Sequence, residues 1–288
     1  MICRATGSTF LEISSAKLKE IALAIPPSVS EQRRIAAALS DADELVASLD
    51  KLIEKKKRVK ESAMQRLLSG ETRLPGFGGK TFKQTDLGPI PADWDVKRIG
   101  EIGTEFSYGV GAEAIAFDGH TKYIRITDIT DESHLFTPNP LTSPAHFSDA
   151  HMVHENDLLI ARTGASVGKS YIYDARDGRL VFAGFLMKAS ITRACAKFVF
   201  YHTLSDRYKH WVREESARSG QPGLNLEQLK CFLFPAPALP EQRAIAAVLS
   251  DMDAEIAALS RERAEAERVK QGMMQELLTG KTRLAEGE

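Results

Sequence analysis

The sequence predicts an α+β protein: a mixed α+β domain flanked by two long helices that pair as an antiparallel coiled coil. Two observations predict it. The first is a duplication: Glu31-Gln32-Arg33 returns as Glu241-Gln242-Arg243, and the match runs without a gap to Leu74 and Leu284, with about 23 of 44 positions identical. A spacing of about 210 residues is far beyond the roughly 20–50 of stacked-repeat proteins, so one module is used twice with a domain between the copies. The second is a change of texture after Pro75-Gly76-Phe77-Gly78-Gly79, where the long helical pattern gives way to short β-rich runs.

Each copy reads as one long helix. Ile35, Leu39, Ala42, Val46, Leu49 and Ile53 alternate spacings of four and three, as do Ile245, Leu249, Met252, Ile256 and Leu259, which is the seam of a coiled coil. Ser28 with Glu31 predicts a capping box, Pro240 suits a first turn, and Gly70 and Gly280 sit where left-handed C-terminal caps belong. Roughly 39 residues at about 1.5 Å each make a rod of about 58 Å, too long for one small domain to cover. The other copy is the natural partner. Lys51, Lys55, Lys56, Lys57 and Arg58 face Glu255, Glu262, Glu265 and Glu267 in the expected pairing, while Lys56 and Lys60 fall on the seam and are expected to weaken it locally.

The expected organisation is then a segment at 1–27, a first helix at 28–74, a mixed domain at 75–238 and a second helix at 239–288. Within the domain, Tyr123-Ile124-Arg125-Ile126 and Asp157-Leu158-Leu159-Ile160-Ala161 read as strands and 197–215 as a helix, with Pro235, Pro237 and Pro240 as a stiff linker. Residues 1–27 read as the remnant of another such domain. Ile13-Ser14, Leu18-Lys19 and Pro26 echo Leu224-Asn225, Leu229-Lys230 and Pro237 one position off the main register.

Composition narrows the function classes. With 38 Lys+Arg against 39 Asp+Glu, 43% hydrophobic and 27% charged residues, the chain is neither a polycation nor a disordered tail. Binding to nucleic acid depends on where charge clusters, so a net charge of −1 does not exclude it. The apolar runs are too short for a membrane span, and no signal peptide opens the chain, so a cytoplasmic protein without membrane contact is expected. Three cysteines, Cys3, Cys195 and Cys231, without CxxC spacing suggest neither a disulfide framework nor a zinc knuckle.

Gly88-Pro89-Ile90-Pro91 with Trp94, Arg162-Thr163-Gly164 with Gly168-Lys169 after a strand, and the two Glu-Gln-Arg…Leu-Ser-Asp…Leu-Leu-x-Gly helices resemble the specificity (S) subunits of type I restriction-modification systems. The resemblance runs along essentially the whole chain and lacks the bulk of a first recognition domain. It implies a target-recognition domain that reads half of a bipartite site in double-stranded DNA. It also implies a helix pair that serves as ruler and dock for methyltransferase (M) subunits, which carry the S-adenosylmethionine, and optional restriction (R) subunits. A homodimer, or pairing with a second half-specificity subunit, would supply two reading heads. A rod of about 58 Å matches on the order of 17 base pairs at about 3.4 Å each, as any coiled coil of that length would.

Arg162 and Thr163 fall at a strand end, and arginine is the commonest bidentate reader of guanine. Gly164 and Gly168 allow close backbone approach to phosphate and Lys169 supplies a point charge; a tight turn with a surface salt bridge is the plainer alternative. Arg125 and Thr127 are candidates for phosphate or base contact, or belong to a solvated strand face. Gln221 and Asn225 have the amides that pair with adenine, or bond their own turn. Tyr108, beside Gly109 and Gly111, is placed in a DNA-facing loop. Trp94 reads as a core anchor, and His146, His151 and His154 as loop histidines without a metal set. Gly164 to Ser170 is one residue short of a Walker-type loop, with only Ala165, Ser166 and Val167 between its glycines. With no Asn/Asp-Pro-Pro-Tyr/Phe run and no complete nuclease set, a non-catalytic subunit without its own cofactor is expected. The alternatives are a coiled-coil adaptor with a protein-binding head, and a non-functional remnant of a specificity subunit.

Overall fold

The computed structural model describes residues 14–79, 81–217 and 223–284. The chain divides into two compact units, one of Met1–Lys57 with Ala254–Glu288 and one of Arg58–Asp253. Helix α1 (Ser15–Lys19) and most of the long helices α2 (Val29–Ser69) and α7 (Leu239–Leu277) belong to the first. Ile35, Val46, Leu49 and Ile53 are buried along α2, at the spacing the seam requires. The pairing is antiparallel, because numbers rise along one helix as they fall along the other: Glu31 meets Arg283 (2.6 Å), Asp43 Lys270 (2.6 Å), Asp50 Arg263 (3.0 Å) and Lys56 Glu255 (2.6 Å).

This register corrects the charge pairing expected from sequence. Lys56–Glu255 follows it, whereas Arg263 and Lys270 of α7 meet carboxylates of α2, and Glu265 and Glu267 pair along their own helix. Lys60 does not leave a weak point in the seam. It pairs with Asp253, lies over the Tyr201 ring, and shares that carboxylate with the Tyr201 hydroxyl, which donates at 2.8 Å. The capping box at α2 is half formed: the Glu31 N–H donates to Ser28 Oγ (3.4 Å), but the Glu31 carboxylate turns to Arg283.

The second unit is built on an antiparallel four-stranded sheet of β10 (Ser170–Ile172), β9 (Asp157–Ala161), β12 (Leu186–Ile191) and β4 (Gly103–Tyr108), in that order. β9 is buried on both faces. Leu158 and Ile160 join a core with α4 (Ala196–Leu204) and α5 (Asp206–Ser216), while Leu159 and Ala161 join one with β6 (Lys122–Ile124), β8 (Met152–Val153) and β11 (Leu180–Phe182). That period-2 division explains why the strand reads as a continuous apolar run. β6 and β8 flank β11 in a three-stranded sheet, and three two-stranded ribbons complete the unit: β1 (Phe82–Thr85) with β2 (Gly88–Pro91), β3 (Asp95–Arg98) with β13 (Leu233–Ala236), and β5 (Ala114–Ala116) with β7 (Thr142–Pro144). Short helices α3 (Ile99–Ile102) and α6 (Leu226–Lys230) lie between strands.

Two local expectations are corrected. The helix expected over 197–215 breaks at Ser205, whose hydroxyl accepts the Tyr208 N–H (3.3 Å) and starts α5 afresh; serine competes for backbone donors in this way. The strand expected over 123–126 stops at Ile124, because Arg125 caps a 3-10 turn at Ile126–Asp128. Trp94 is the anchor the sequence suggests: fully buried, with Nε1 donating to Glu241 (3.3 Å). Gly70 is required twice over, by its φ of +74° and because a Cβ there would lie 2.4 Å from Pro91.

Candidate nucleic-acid interface

Several turns of the second unit converge on Arg162. At the end of β9 the Ala161 N–H donates to the Lys169 carbonyl and the Ala161 carbonyl accepts from Gly168, both at 2.8 Å, so residues 162–167 form the tip of the β9–β10 hairpin. The Arg162 N–H donates to the Phe185 carbonyl (3.0 Å), its carbonyl accepts from Leu224 (2.8 Å), and Thr163 bridges to Gly223. Backbone on both sides therefore fixes where this side chain starts. Its guanidinium carbon lies 4.6 Å from the centre of the Tyr108 ring, and the Tyr108 hydroxyl accepts from the Leu226 N–H (3.2 Å). Arg162 Nε is buried without a hydrogen-bond partner among the described residues. A guanidinium set over an aromatic ring on a backbone fixed from both sides can offer the bidentate fork that an acceptor pair requires.

Tyr108, Arg162, Thr163, Gly164 and Asn225 thus come together. Asn225 is committed in part, since its Oδ1 caps α6 by accepting from Gln228 (2.9 Å). Gly164 is exposed with φ +76°, whereas Gly168 serves packing: a Cβ there would meet Val212 at 2.8 Å. Gln221 lies outside the described residues. Arg125, Thr127 and Lys169 form a neighbouring group, joined to the hairpin tip by the Lys169–Asp131 pair (2.6 Å). Arg125 forks to Asp128 through two 2.9 Å bonds, and Thr127 is exposed in the same turn. Lys169 holds the Asp131 carboxyl below the usual range, so both cations already have carboxylate partners that phosphate would have to displace.

Phe185 was not singled out from sequence and belongs here. It is 66% exposed on the turn that receives the Arg162 N–H, and the adjoining residues tie that turn to the rest: Ala183 donates to Ile124, Gly184 to Val110. The available signal was Gly184-Phe185, an aromatic at a tight turn after the apolar run 180–183. The Walker-like stretch Gly164 to Ser170 returns directly into strand β10, not into a helix, and so lacks the helix N-terminus on which such loops seat phosphate.

Against known proteins, residues 2–58 and 91–268 match the family described as the type I restriction modification DNA specificity domain. The chain belongs to this family. It is 25% identical over 293 residues to the type I restriction enzyme MjaVIII specificity subunit of Methanocaldococcus jannaschii, and 28% identical over 289 residues to the putative MjaX specificity subunit of that organism. Those alignments cover 96% and 94% of this chain but 66% and 62% of the relatives, so the chain spans less than two thirds of the length of the curated relatives it matches. A type I restriction-modification S subunit from M. genitalium shares the fold with a TM-score of 0.64 at 15% identity, covering 96% of this chain and 68% of that one. A chain from a study of complex assembly and conformational transition in the type I R-M system gives 0.55 at 20% identity, covering 94% and 65%. No helix among the described residues is long and apolar enough to cross a membrane.

Proposed function

We propose that this specificity-family chain is the DNA-recognition and scaffold subunit of a type I restriction-modification complex. In this reading the second unit reads a half-site of a few base pairs, and α2 with α7 docks M subunits that carry S-adenosylmethionine and perform the methyl transfer. The chain itself performs no chemistry, and R subunits join where cleavage is needed. A second reading head comes from another copy or from a separate half-specificity subunit.

The observation that carries the DNA reading is Arg162, stacked on Tyr108 at a glycine-bearing hairpin tip beside exposed Phe185. A good bidentate arginine–guanine pair is worth about 1–3 kcal/mol of discrimination, roughly 10–200-fold. The test is to co-express the chain with a cognate M subunit and map methyladenine across the host genome, then repeat with Arg162→Ala. The expected result is a defined motif that becomes degenerate at one position in the variant. A motif unchanged by Arg162→Ala overturns the assignment of the reader. No retention of duplex DNA at low salt with M subunits present overturns the DNA reading itself.

A further inference from the structure

The two cations beside the hairpin tip are paired in opposite ways. In the Arg125–Asp128 fork the carboxylate is the buried member: the Asp128 side chain is 3% exposed against 32% for Arg125, and it also accepts the Arg125 N–H at 2.9 Å. That pair caps the 3-10 turn, so opening it would strand a buried anion. Lys169 and Asp131 reverse the arrangement. The Lys169 side chain is 11% exposed, and the Asp131 side chain that meets it at 2.6 Å is 90% exposed. Asp131 can therefore leave for water at little cost, whereas the nearly buried ammonium needs another anion in its place.

The loop that carries Asp131 is held in place around it. Ile129 bridges to Phe136, and the Thr130 N–H donates to the Leu135 carbonyl (3.0 Å). His134 donates from Nδ1 to the Ser170 carbonyl (2.8 Å) and stands edge-on to Phe200, with ring centres 6.0 Å apart. Ser170 is the residue after Lys169, so these contacts keep the Asp131 carboxylate beside the ammonium as a tethered anion of high effective concentration. Lys169 in turn closes the hairpin whose tip bears Arg162, its carbonyl accepting from the Ala161 N–H at 2.8 Å. An anion on Lys169 thus stands in a fixed relation to whatever Arg162 holds.

We propose that Asp131 is a specificity-determining residue: its carboxylate holds the place of a DNA phosphate on Lys169 and yields it only when the hairpin is seated on its target. The inference rests on the DNA reading of this unit. In a non-specific encounter phosphates pass Lys169 without being held in register, the tethered carboxylate outcompetes them, and the cation adds nothing to affinity. With Arg162 engaged, one phosphate is held opposite Lys169, Asp131 swings into water, and the contact forms. Asp131 therefore weakens non-specific binding more than specific binding. The first loses the whole phosphate contact, and the second loses only the cost of displacing the carboxylate.

The test measures duplex binding by the chain assembled with its cognate M subunit over a series of salt concentrations, for a duplex bearing the methylated motif and for one of scrambled sequence. Asp131→Asn, which keeps an acceptor beside Lys169, should raise affinity for the scrambled duplex roughly tenfold at about 0.1 M salt. It should also steepen the dependence of log K on log salt by about 0.9, the equivalent of one more phosphate. On the motif the slope should stay the same and the gain should be smaller, so that the ratio of the two affinities falls. In a Lys169→Met background the gain from Asp131→Asn should vanish. A wild-type complex that binds DNA but gains nothing from Asp131→Asn, or a gain that persists without Lys169, overturns the proposal and leaves the DNA reading intact. If the wild-type complex retains neither duplex at low salt, the DNA reading fails and the proposal falls with it.

Discussion

In the second unit Arg73 and Glu241 are sealed beneath Trp94, while in the first Arg283 and Glu31, the same residues of the repeat, keep the ion pair and lose the seal. The ion pair is thus written into the repeat, and its surroundings are written elsewhere, in Pro91 to Trp94. The comparison teaches that identical residues acquire different energetic weight. Both carboxylates are buried, but taking away the exposed Arg283 opens Glu31 to water, whereas taking away Arg73 leaves Glu241 stranded beneath Trp94.

The largest expected effect is from removing the seal. Trp94→Ala deletes a fully buried indole and one donor to Glu241, and should lower the stability of the second unit by about 3–5 kcal/mol in urea unfolding, with hydrogen exchange in the first unit unchanged. Arg73→Ala strands the buried Glu241 and should cost about 3 kcal/mol. Arg283→Ala, the same substitution in the other copy, should leave the unfolding midpoint almost unmoved. Equal losses at the two arginines would show that the difference in cover has no energetic meaning.

The units should also separate by pH. His202 is fully buried between Phe198 and Phe234 (ring centres 4.7 and 4.9 Å), and burial pushes its pKa down to about 3; His134 is shifted in the same direction by burial. A histidine depressed in the fold favours the unfolded state as it protonates. The stability it permits is complete above about pH 6.5 and is lost as pH falls toward 3, by up to about 1.4 kcal/mol per pH unit. All seven histidines lie between 120 and 210, so the first unit has none. Its shifted carboxyl is Glu31, held below the usual range by Arg283, whose contribution is present above about pH 4.5 and lost only as pH falls through that lowered value. Acidification from pH 6.5 to 5 should therefore loosen exchange in the second unit alone, and His202→Phe should blunt the loss.

What was legible in the sequence follows from local rules. The seam, the left-handed caps at Gly70 and Gly280, the buried strand β9 and the Trp94 anchor each have a short-range signature of period or composition. What was not legible depends on partners distant in sequence. Ser205 breaks a helix that apolar spacing alone would continue, and Arg125 turns to Asp128 where strand alternation would point it outward. At the candidate site the sequence points to Arg162, but its place over the Tyr108 ring and the exposure of Phe185 arise because β4, β9 and the 183–186 turn meet in space. The charge pairing between helices failed for a related reason: the duplicated acids and bases satisfy one another in an antiparallel register that a tally by helix cannot reveal.

The smallest expected difference lies in that register. Lys60–Asp253 and Lys270–Asp43 occupy the same repeat positions, but only the first gains the Tyr201 ring and its hydroxyl. Lys60→Met should cost about 1 kcal/mol, and Lys270→Met should be silent in the same unfolding measurement. A double-mutant cycle with Tyr201→Phe isolates the source. If the hydroxyl holds Asp253 in place, removing it should lower the cost of Lys60→Met toward that of Lys270→Met. If the cost is unchanged, the methylene stem of Lys60 packed in the seam carries the effect, and the two copies differ by burial alone.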